Sequence, residues 1–357
     1  MELNVDIEKK LGDMTLRCRF NTGEGRFALL GASGCGKTTT LRLIAGIMTP
    51  DRGRITLGDR VLFDSEKKIN IPARKRNIGY LFQDHALFPN MTAYQNIMCR
   101  AKDRDYAESL IEKLDLQGVK DRYPSKLSGG ESQRTAIARM LSTKPEMILL
   151  DEPFCSLDNY LKTVAEREIA EVLDEFEGPA MLVSHDRNEV YRFADTIGVM
   201  EAGSVTAVLS KKEFFDLPGS AYSARLTGCK NISELKTEGG IVSACDWGIT
   251  LGTAESLSLS GDMRYAGYRA HFFDFVSTED AAADDDAHII ECETVRVTED
   301  AFSMIVLFRS KGNTSSSRDS MMTWITGTEK WHEIKDEVTS GRFFLRWKKD
   351  KLMFFDR

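Results

Sequence analysis

An α/β fold built on a parallel sheet, followed by a smaller β-rich domain, is predicted by three features of this 357-residue sequence. The apolar run Phe27-Ala28-Leu29-Leu30 leads straight into GASGCGKT at Gly31–Thr38, which opens a segment with Leu41, Ile44 and Ile47 at helical spacing. Two further apolar runs end in polar groups, Met147–Leu150 in Asp151-Glu152 and Ala180–Val183 in Ser184-His185-Asp186. Apolar strands that deliver polar residues at their C-terminal ends are the pattern of open α/β sheets. From about residue 229 onward the pattern changes to short strands between turn-like or charged linkers.

The glycines of Gly31–Thr38 let the backbone curl so that successive N–H groups face one concavity, and the helix that follows adds the positive end of its dipole. Strand, glycine loop and helix together make a phosphate site. It comprises Gly31, Ala32, Ser33, Gly34, Cys35, Gly36, Lys37, Thr38 and Thr39. Lys37 supplies a point charge for β- and γ-phosphates, and the Thr38 hydroxyl is a Mg²⁺ ligand. A chance glycine-rich turn would not combine all these positions with that context.

Composition narrows the class. Apolar residues at 42% and charged residues at 29% describe a globular chain, and a net charge of −7 argues against a nucleic-acid binder. No run approaches the roughly 20 apolar residues of a membrane-spanning helix. The start, MELNVDIEKKLG, lacks a basic-then-apolar leader pattern. Cys18, Cys35, Cys99, Cys155, Cys229, Cys245 and Cys292 show no metal or redox spacing and read as reduced thiols. Cys35 is either open to alkylation or simply a small residue that fits.

Alternating apolar positions over 2–7 and 14–20 predict an antiparallel hairpin, and 53–63 a second one turning at Gly58-Asp59. Ile78–Phe82 reads as a strand ending at Gln83, an amide that could bind Mg²⁺ or the attacking water, or be an ordinary surface residue. Leu87, Phe88 and Pro89 form an apolar patch in a loop, either buried locally or facing a partner. Ser128-Gly129-Gly130 at the start of a helix reads as a second anion-ready site or as a plain N-cap. Asp151 suits Mg²⁺, directly or through water, and Glu152 suits general-base activation of water. Helix is expected over about 160–176. His185 at a strand end could bond a γ-phosphate or be structural.

Taken together, GASGCGKT, Gln83, LSGGE, MILLDE, SLD and His185 resemble the ATPase subunits of ATP-binding-cassette (ABC) transporters over roughly residues 1–228. LSGGE discriminates, because a phosphate loop alone occurs in many NTPase families. The resemblance implies a P-loop NTPase cassette with an antiparallel β subdomain and a helical subdomain at about 84–140. It implies a head-to-tail homodimer holding two ATP molecules with Mg²⁺. Lys37, Thr38, Gln83, Asp151, Glu152 and His185 of one copy would face Ser128, Gly129 and Gly130 of the other, with Asp158 also at the nucleotide. Thr38, Gln83 and Asp151 would be the metal ligands, and Glu152, His185, Gln83 and Lys37 the catalytic set.

The family further implies work at the cytoplasmic membrane face. There it would join two permease subunits, contacted near Leu87, Phe88 and Pro89, and, indirectly, an extracytoplasmic solute-binding protein. No nucleic-acid partner is expected. NIPARKRNIGYLFQDHALFPNMTAYQNI, DRYPSKLSGGESQR and LTGCKNISEL look most like molybdate importer ATPases, with sulfate, iron(III), polyamine and sugar importers as alternatives. A non-transport ABC ATPase is one rival, though neither tandem cassettes nor coiled-coil insertions occur. A ligand-sensing module with a hydrolysis-poor cassette is another, against which the intact Lys37, Asp151, Glu152 and His185 argue. Three departures stand out: no aromatic lies in residues 5–17 to stack on adenine, leaving Leu11 or another apolar residue, Glu131 replaces the commoner Gln, and Cys155 sits where a small serine is usual.

Residues 229–357 resemble the small all-β, oligonucleotide-fold-like (TOBE-like) regulatory module of importer ATPases. Strands are expected at Tyr268–Phe275, Ile289–Val297, Phe302–Phe308, Met321–Thr326, Phe343–Trp347 and Leu352–Phe355. Arg342, Arg346, Lys348 and Lys349 could bind an anion or form a solvated strand face.

Overall fold

The computed structural model describes residues 1–357 apart from 24, 156–166, 168–169, 260–262, 284–287, 312 and 314–319. The chain divides into two units, Met1–Lys211 and Lys212–Arg357.

In the first unit, β1 (Leu3–Leu11) and β2 (Met14–Asn21) pair antiparallel from Asn4↔Asn21 to Leu11↔Met14. Leu3, Val5, Ile7, Leu16, Cys18 and Phe20 all fall on the buried face, and that alternation fixes the register. Then come β3 (Arg26–Leu30), α1 (Lys37–Ala45), β4 (Arg52–Leu57), β5 (Arg60–Asp64) and β6 (Ile69–Asn70), with Gly58-Asp59 turning between β4 and β5 as expected. They are followed by α2 (Ala73–Arg76), β7 (Ile78–Leu81), α3 (Ala93–Met98), α4 (Arg104–Lys113), α5 (Gly129–Leu141) and β8 (Met147–Asp151). β9 (Ala180–Ser184), α6 (Arg187–Phe193), β10 (Thr196–Glu201) and β11 (Ser204–Ser210) complete it. Most of the helix expected over 160–176 lies outside the described residues.

The sheet has eleven strands in the order β6-β5-β4-β1-β2-β11-β10-β3-β9-β8-β7. Its working part is the parallel block β10-β3-β9-β8-β7. β8 and β9 are buried along their whole length, as are the last four residues of β3, which is why these strands read as unbroken apolar runs. Because the strands run parallel, with Leu30 opposite Ser184 and Asp151 opposite Val183, their polar termini emerge at one edge. That edge carries the site.

α1 is anchored at its far end by Arg76, a fully buried guanidinium that no carboxylate pairs with among the described residues. It donates to the carbonyls of Leu43 (3.0 Å), Ile44 (2.6 Å) and Ile71 (2.7 Å), and to Asn70 Oδ1 (3.1 Å). A cation at the helix C-terminus satisfies carbonyls that the helix leaves open and opposes its dipole. Burial lowers the Arg76 pKa to about 10.

The second unit holds α7 (Lys211–Asp216), α8 (Ala221–Leu226), β12 (Asn231–Glu238), β13 (Ile241–Ala244), β14 (Ile249–Thr253), β15 (Tyr265–Tyr268) and β16 (Asp274–Val276). It continues with α9 (Thr278–Ala283), β17 (Ile289–Asp300), β18 (Ser303–Ser310), β19 (Met322–Gly327), α10 (Thr328–Thr339), β20 (Arg342–Arg346) and β21 (Met353–Phe355). Two five-stranded sheets result, β14-β13-β12-β15-β21 and β16-β20-β17-β18-β19. The Asn231 side chain ties them, donating to Thr323 O (2.9 Å) and accepting from Thr323 N–H (2.6 Å). Trp324, Phe343, Phe308 and Phe273 pack between them.

Two readings change here. The single strand expected over Tyr268–Phe275 is two, broken where Phe272 N–H turns back to Arg269 O and the Tyr268 hydroxyl donates to Phe272 O. Helix α10, burying Trp331, Ile334 and Val338, stands among the strands. The helices before residue 228 pack with this unit, since Ala221 N–H donates to Arg357 O and Arg269 donates to the carbonyls of Phe215 and Thr227.

Replacing Arg76 with Ala strands several buried carbonyls, so the first unit should lose about 3 kcal/mol of stability, read from urea unfolding.

Candidate functional site: a glycine cradle facing a carboxylate pair

The cradle follows from close packing at the end of β3. A Cβ on Gly31 would run into the Met200 carbonyl and lie 2.9 Å from Cys35 Sγ, so only glycine fits. Gly36, at φ 108°, caps α1 without any side chain on the cap, which leaves the first N–H groups of the helix open toward the loop. Ala32, Ser33 and Gly34 form the exposed rim; Thr38 and Thr39 are half-buried. Lys37 is buried, its Nζ folded back onto the carbonyls of Gly31 (2.8 Å) and Ala32 (3.0 Å). Cys35 is buried, and burial pushes its thiol up against the opposing pull of Lys37. It is the small residue that fits.

β8 delivers Asp151, almost wholly buried, against this cradle. Thr38 Oγ1 donates to Asp151 Oδ1 at 2.8 Å, and the Tyr80 hydroxyl on neighbouring β7 donates to Oδ2 at 2.8 Å. Burial, and then the Asp151 charge, drives the Tyr80 pKa far upward, so this phenol is a fixed donor. A hydroxyl and a carboxylate already converging are hard oxygen donors that fit Mg²⁺. Among the described residues no cluster of three or more His, Cys, Asp or Glu forms a closed metal cage, so a cation here would take its other ligands from water and a bound anion. Gln83 is exposed in the turn after β7, and no hydrogen bond joins it to Thr38 or Asp151 among the described residues.

Glu152 follows at φ 45°, a left-handed conformation costing about 1 kcal/mol or more for a side chain with a Cβ. Its N–H donates to Val183 O (3.0 Å), and its Oε2 lies 3.3 Å from Nδ1 of His185. The turn carrying His185 is fixed from below: Ser184 Oγ donates to the buried Glu189 Oε2 (2.6 Å) and accepts from Asp186 N–H (2.9 Å). Thus the structure brings Lys37, Thr38, Asp151, Glu152 and His185 to one sheet edge. Asp158 lies outside the described residues.

Ser128 caps α5 in a complete capping box. Its hydroxyl accepts from Glu131 N–H (3.2 Å), and its N–H donates to Glu131 Oε2 (2.6 Å). That backbone bond, more than any other contact, holds the Glu131 carboxyl below its ordinary pKa. Ser128 and Gly129 remain exposed and no hydrogen bond ties them to the cradle among the described residues. At the other end of α5, Arg139 donates to the carbonyls of His85 (2.9 Å) and Ala86 (2.8 Å), and its guanidinium lies 5.4 Å from the Phe88 ring centroid. Asn96 accepts from Phe88 N–H and donates to Phe88, Met91 and Thr92 carbonyls. The Leu87–Pro89 loop is therefore held rigidly from beneath while Phe88 stays 46% exposed.

Residues 15–155 match the ABC transporter family. The chain is 34% identical over 282 residues to the trehalose/maltose import ATP-binding protein MalK of Thermococcus litoralis, covering 75% of this chain and 76% of that protein. The chain belongs to the ABC transporter family. It is also 39% identical over 211 residues to the molybdenum import ATP-binding protein ModC of Paramagnetospirillum magneticum, over 57% of this chain and 58% of that protein. The matched stretch is thus under two thirds of that relative's length.

Among solved structures, a dimeric ATP-binding cassette in a post-hydrolysis state bound to ADP and Pi aligns at TM-score 0.50 and 25% identity, over 59% of this chain and 99% of that one. A nucleotide-free cassette from an ABC transporter aligns at 0.55 and 21%, over 63% and 98%, which bears on the fold alone. No helix among the described residues is long and apolar enough to cross a membrane. Tyr80 is the site residue that sequence reasoning missed. A phenol within a buried strand must find an acceptor, and that was its available signal.

Glu131→Ala should cost about 1 kcal/mol at pH 7 by urea unfolding. Because the folded-state pKa of Glu131 is depressed, this contribution is complete above the ordinary carboxylate range and lost as pH falls through the folded value. The gap between wild type and variant should therefore close on acidification.

Proposed function

We propose that this chain is the ATP-hydrolysing subunit of an ABC importer for an inorganic oxyanion, with molybdate as the solute. The observation that carries the hydrolytic reading is the Thr38–Asp151 contact at the mouth of the Gly31–Lys37 cradle, with Glu152 one residue beyond. Triphosphate binding draws Lys37 from the Gly31 and Ala32 carbonyls onto the phosphate oxygens. Thr38 and Asp151, with Gln83, would hold Mg²⁺, which when bound would supply charge neutralisation on the phosphates. Glu152 accepts the proton of the attacking water, and His185 holds the γ-phosphate. Positioning and electrostatics carry most of the catalysis in such a transfer.

The exposed Ser128–Gly130 tip needs a nucleotide from elsewhere, and a second copy of the chain provides it in a head-to-tail dimer. The dimeric cassette noted above supports dimerisation. The rigid Leu87–Pro89 loop is the surface offered to the permease subunits at the cytoplasmic membrane face, and through them to a solute-binding protein. Residues 1–228, with the helical part at 84–140, would do the nucleotide work, and 229–357 would regulate it. Molybdate rests on ModC relatives at 37–43% identity. The longer match to MalK favours a sugar importer as the second reading.

Glu152→Gln should lower kcat at least 100-fold while preserving ATP-dependent dimerisation, measured by phosphate release and light scattering; near-normal turnover would remove Glu152 as the base. For the solute, ATPase of the chain reconstituted with its permease and binding protein should rise with molybdate. A rise with maltose instead would select the sugar reading.

A further inference from the structure

α5 makes a buried polar contact with the acid-bearing strand end. Gln133, fully buried, donates from Nε2 to the carbonyl of Pro153 at 2.6 Å. Pro153 is the residue after Glu152, and it too is buried. The Gln133 Oε1 has no hydrogen-bond partner among the described residues, although it is sealed from solvent. A buried amide satisfied on one side only is a poor choice for stability, and an apolar side chain of similar volume would avoid the orphaned oxygen. What the amide does achieve is local. Glu152 sits in a left-handed conformation, and its own peptide N–H is fixed by Val183. The peptide on its other side joins Glu152 to Pro153, whose imide nitrogen has no N–H to give, and the bond from Gln133 falls on the carbonyl that begins the next peptide. Gln133 therefore supplies a side-chain clamp on that side of the strained turn.

We infer that Gln133 is a positioning residue for Glu152, holding the carboxylate's backbone through the Pro153 carbonyl and tying it to the helix whose tip is Ser128. Gln133 lies five positions beyond Ser128, the N-cap of α5, so displacement of the helix tip by a bound triphosphate is passed to the Glu152–Pro153 turn or else breaks this bond. When it breaks, the Pro153 carbonyl and the Gln133 amide lose the one hydrogen bond that joins them among the described residues. The base of one nucleotide site is in this way coupled to the signature helix that serves the other. This inference rests on the hydrolytic reading proposed above.

Two substitutions separate the bond from the volume it fills. Gln133→Met keeps the length and removes the donor, and Gln133→Asn keeps the amide but falls short of the Pro153 carbonyl. Both should lower kcat at least ten-fold, with the ATP KM and the nucleotide-binding stoichiometry within two-fold of wild type. Thermal unfolding followed by circular dichroism should confirm that each variant is folded. If kcat stays within two-fold in either folded variant, or falls only in proportion to lost nucleotide-binding sites, the positioning role is wrong. An inactive wild-type chain would overturn the hydrolytic reading and this inference with it, whereas an active wild type with unaffected variants overturns this inference alone.

Discussion

The bond from the Thr38 hydroxyl to the Asp151 carboxylate joins residues 113 positions apart and sets the geometry of everything around it. It can form only because β3 and β8 run parallel with β9 between them, so that a loop leaving one strand and an acid ending the other reach the same edge. The sheet's twofold burial does the placing. Apolar runs on both faces leave the polar residues nowhere to go except the strand ends. Tyr80 completes the arrangement from β7 by occupying the second carboxylate oxygen, so Asp151 is oriented by two donors, one at the start of α1 and one on β7.

α5 is the mechanical link of the first unit. One helix carries the exposed Ser128 tip, the buried Gln133 contact to the acidic turn and the Arg139 clamp under the Leu87–Pro89 loop. Three surfaces with different chemistry thus share one rigid rod, and a shift of that rod cannot leave any of them unaffected. The expense of this design is visible in the orphaned Gln133 amide oxygen and in the burial of Arg139, whose pKa desolvation lowers.

The second unit solves a different problem. Its two sheets are tied by Asn231, which mimics a strand partner toward Thr323 with both its donor and its acceptor, and by Ser310 on β18, which donates to the Trp247 carbonyl. Around that tie the aromatic cluster of Trp324, Phe343 and Phe308 fills the space between layers. Aromatic rings fill such a gap at small conformational cost.

Much of the site was legible in the residues themselves. Gly31–Thr38, Asp151, Glu152 and His185 announced themselves because strand-end chemistry leaves a local mark, an apolar run followed at once by a polar group. The β1–β2 and β4–β5 hairpins were legible because alternation has a period of two and fixes register. The break at 269–273 was not, because Tyr268 and Phe272 supply an apolar pattern whether the chain is straight or turned, and only the bond between them bends it. Helix α10 was hidden in a polar, cap-poor stretch whose Trp331, Ile334 and Val338 gain meaning only when a sheet covers them. Tyr80, Gln133, Arg139 and Asn231 likewise look like ordinary residues in sequence. Each acts through one hydrogen-bonded partner or loop that is remote along the chain, and no local pattern records such a distance. Sequence alone therefore determined which strand ends bear chemistry; tertiary packing decided which distant side chains hold them in place, since long-range hydrogen bonds exist only once the sheet has brought their ends together.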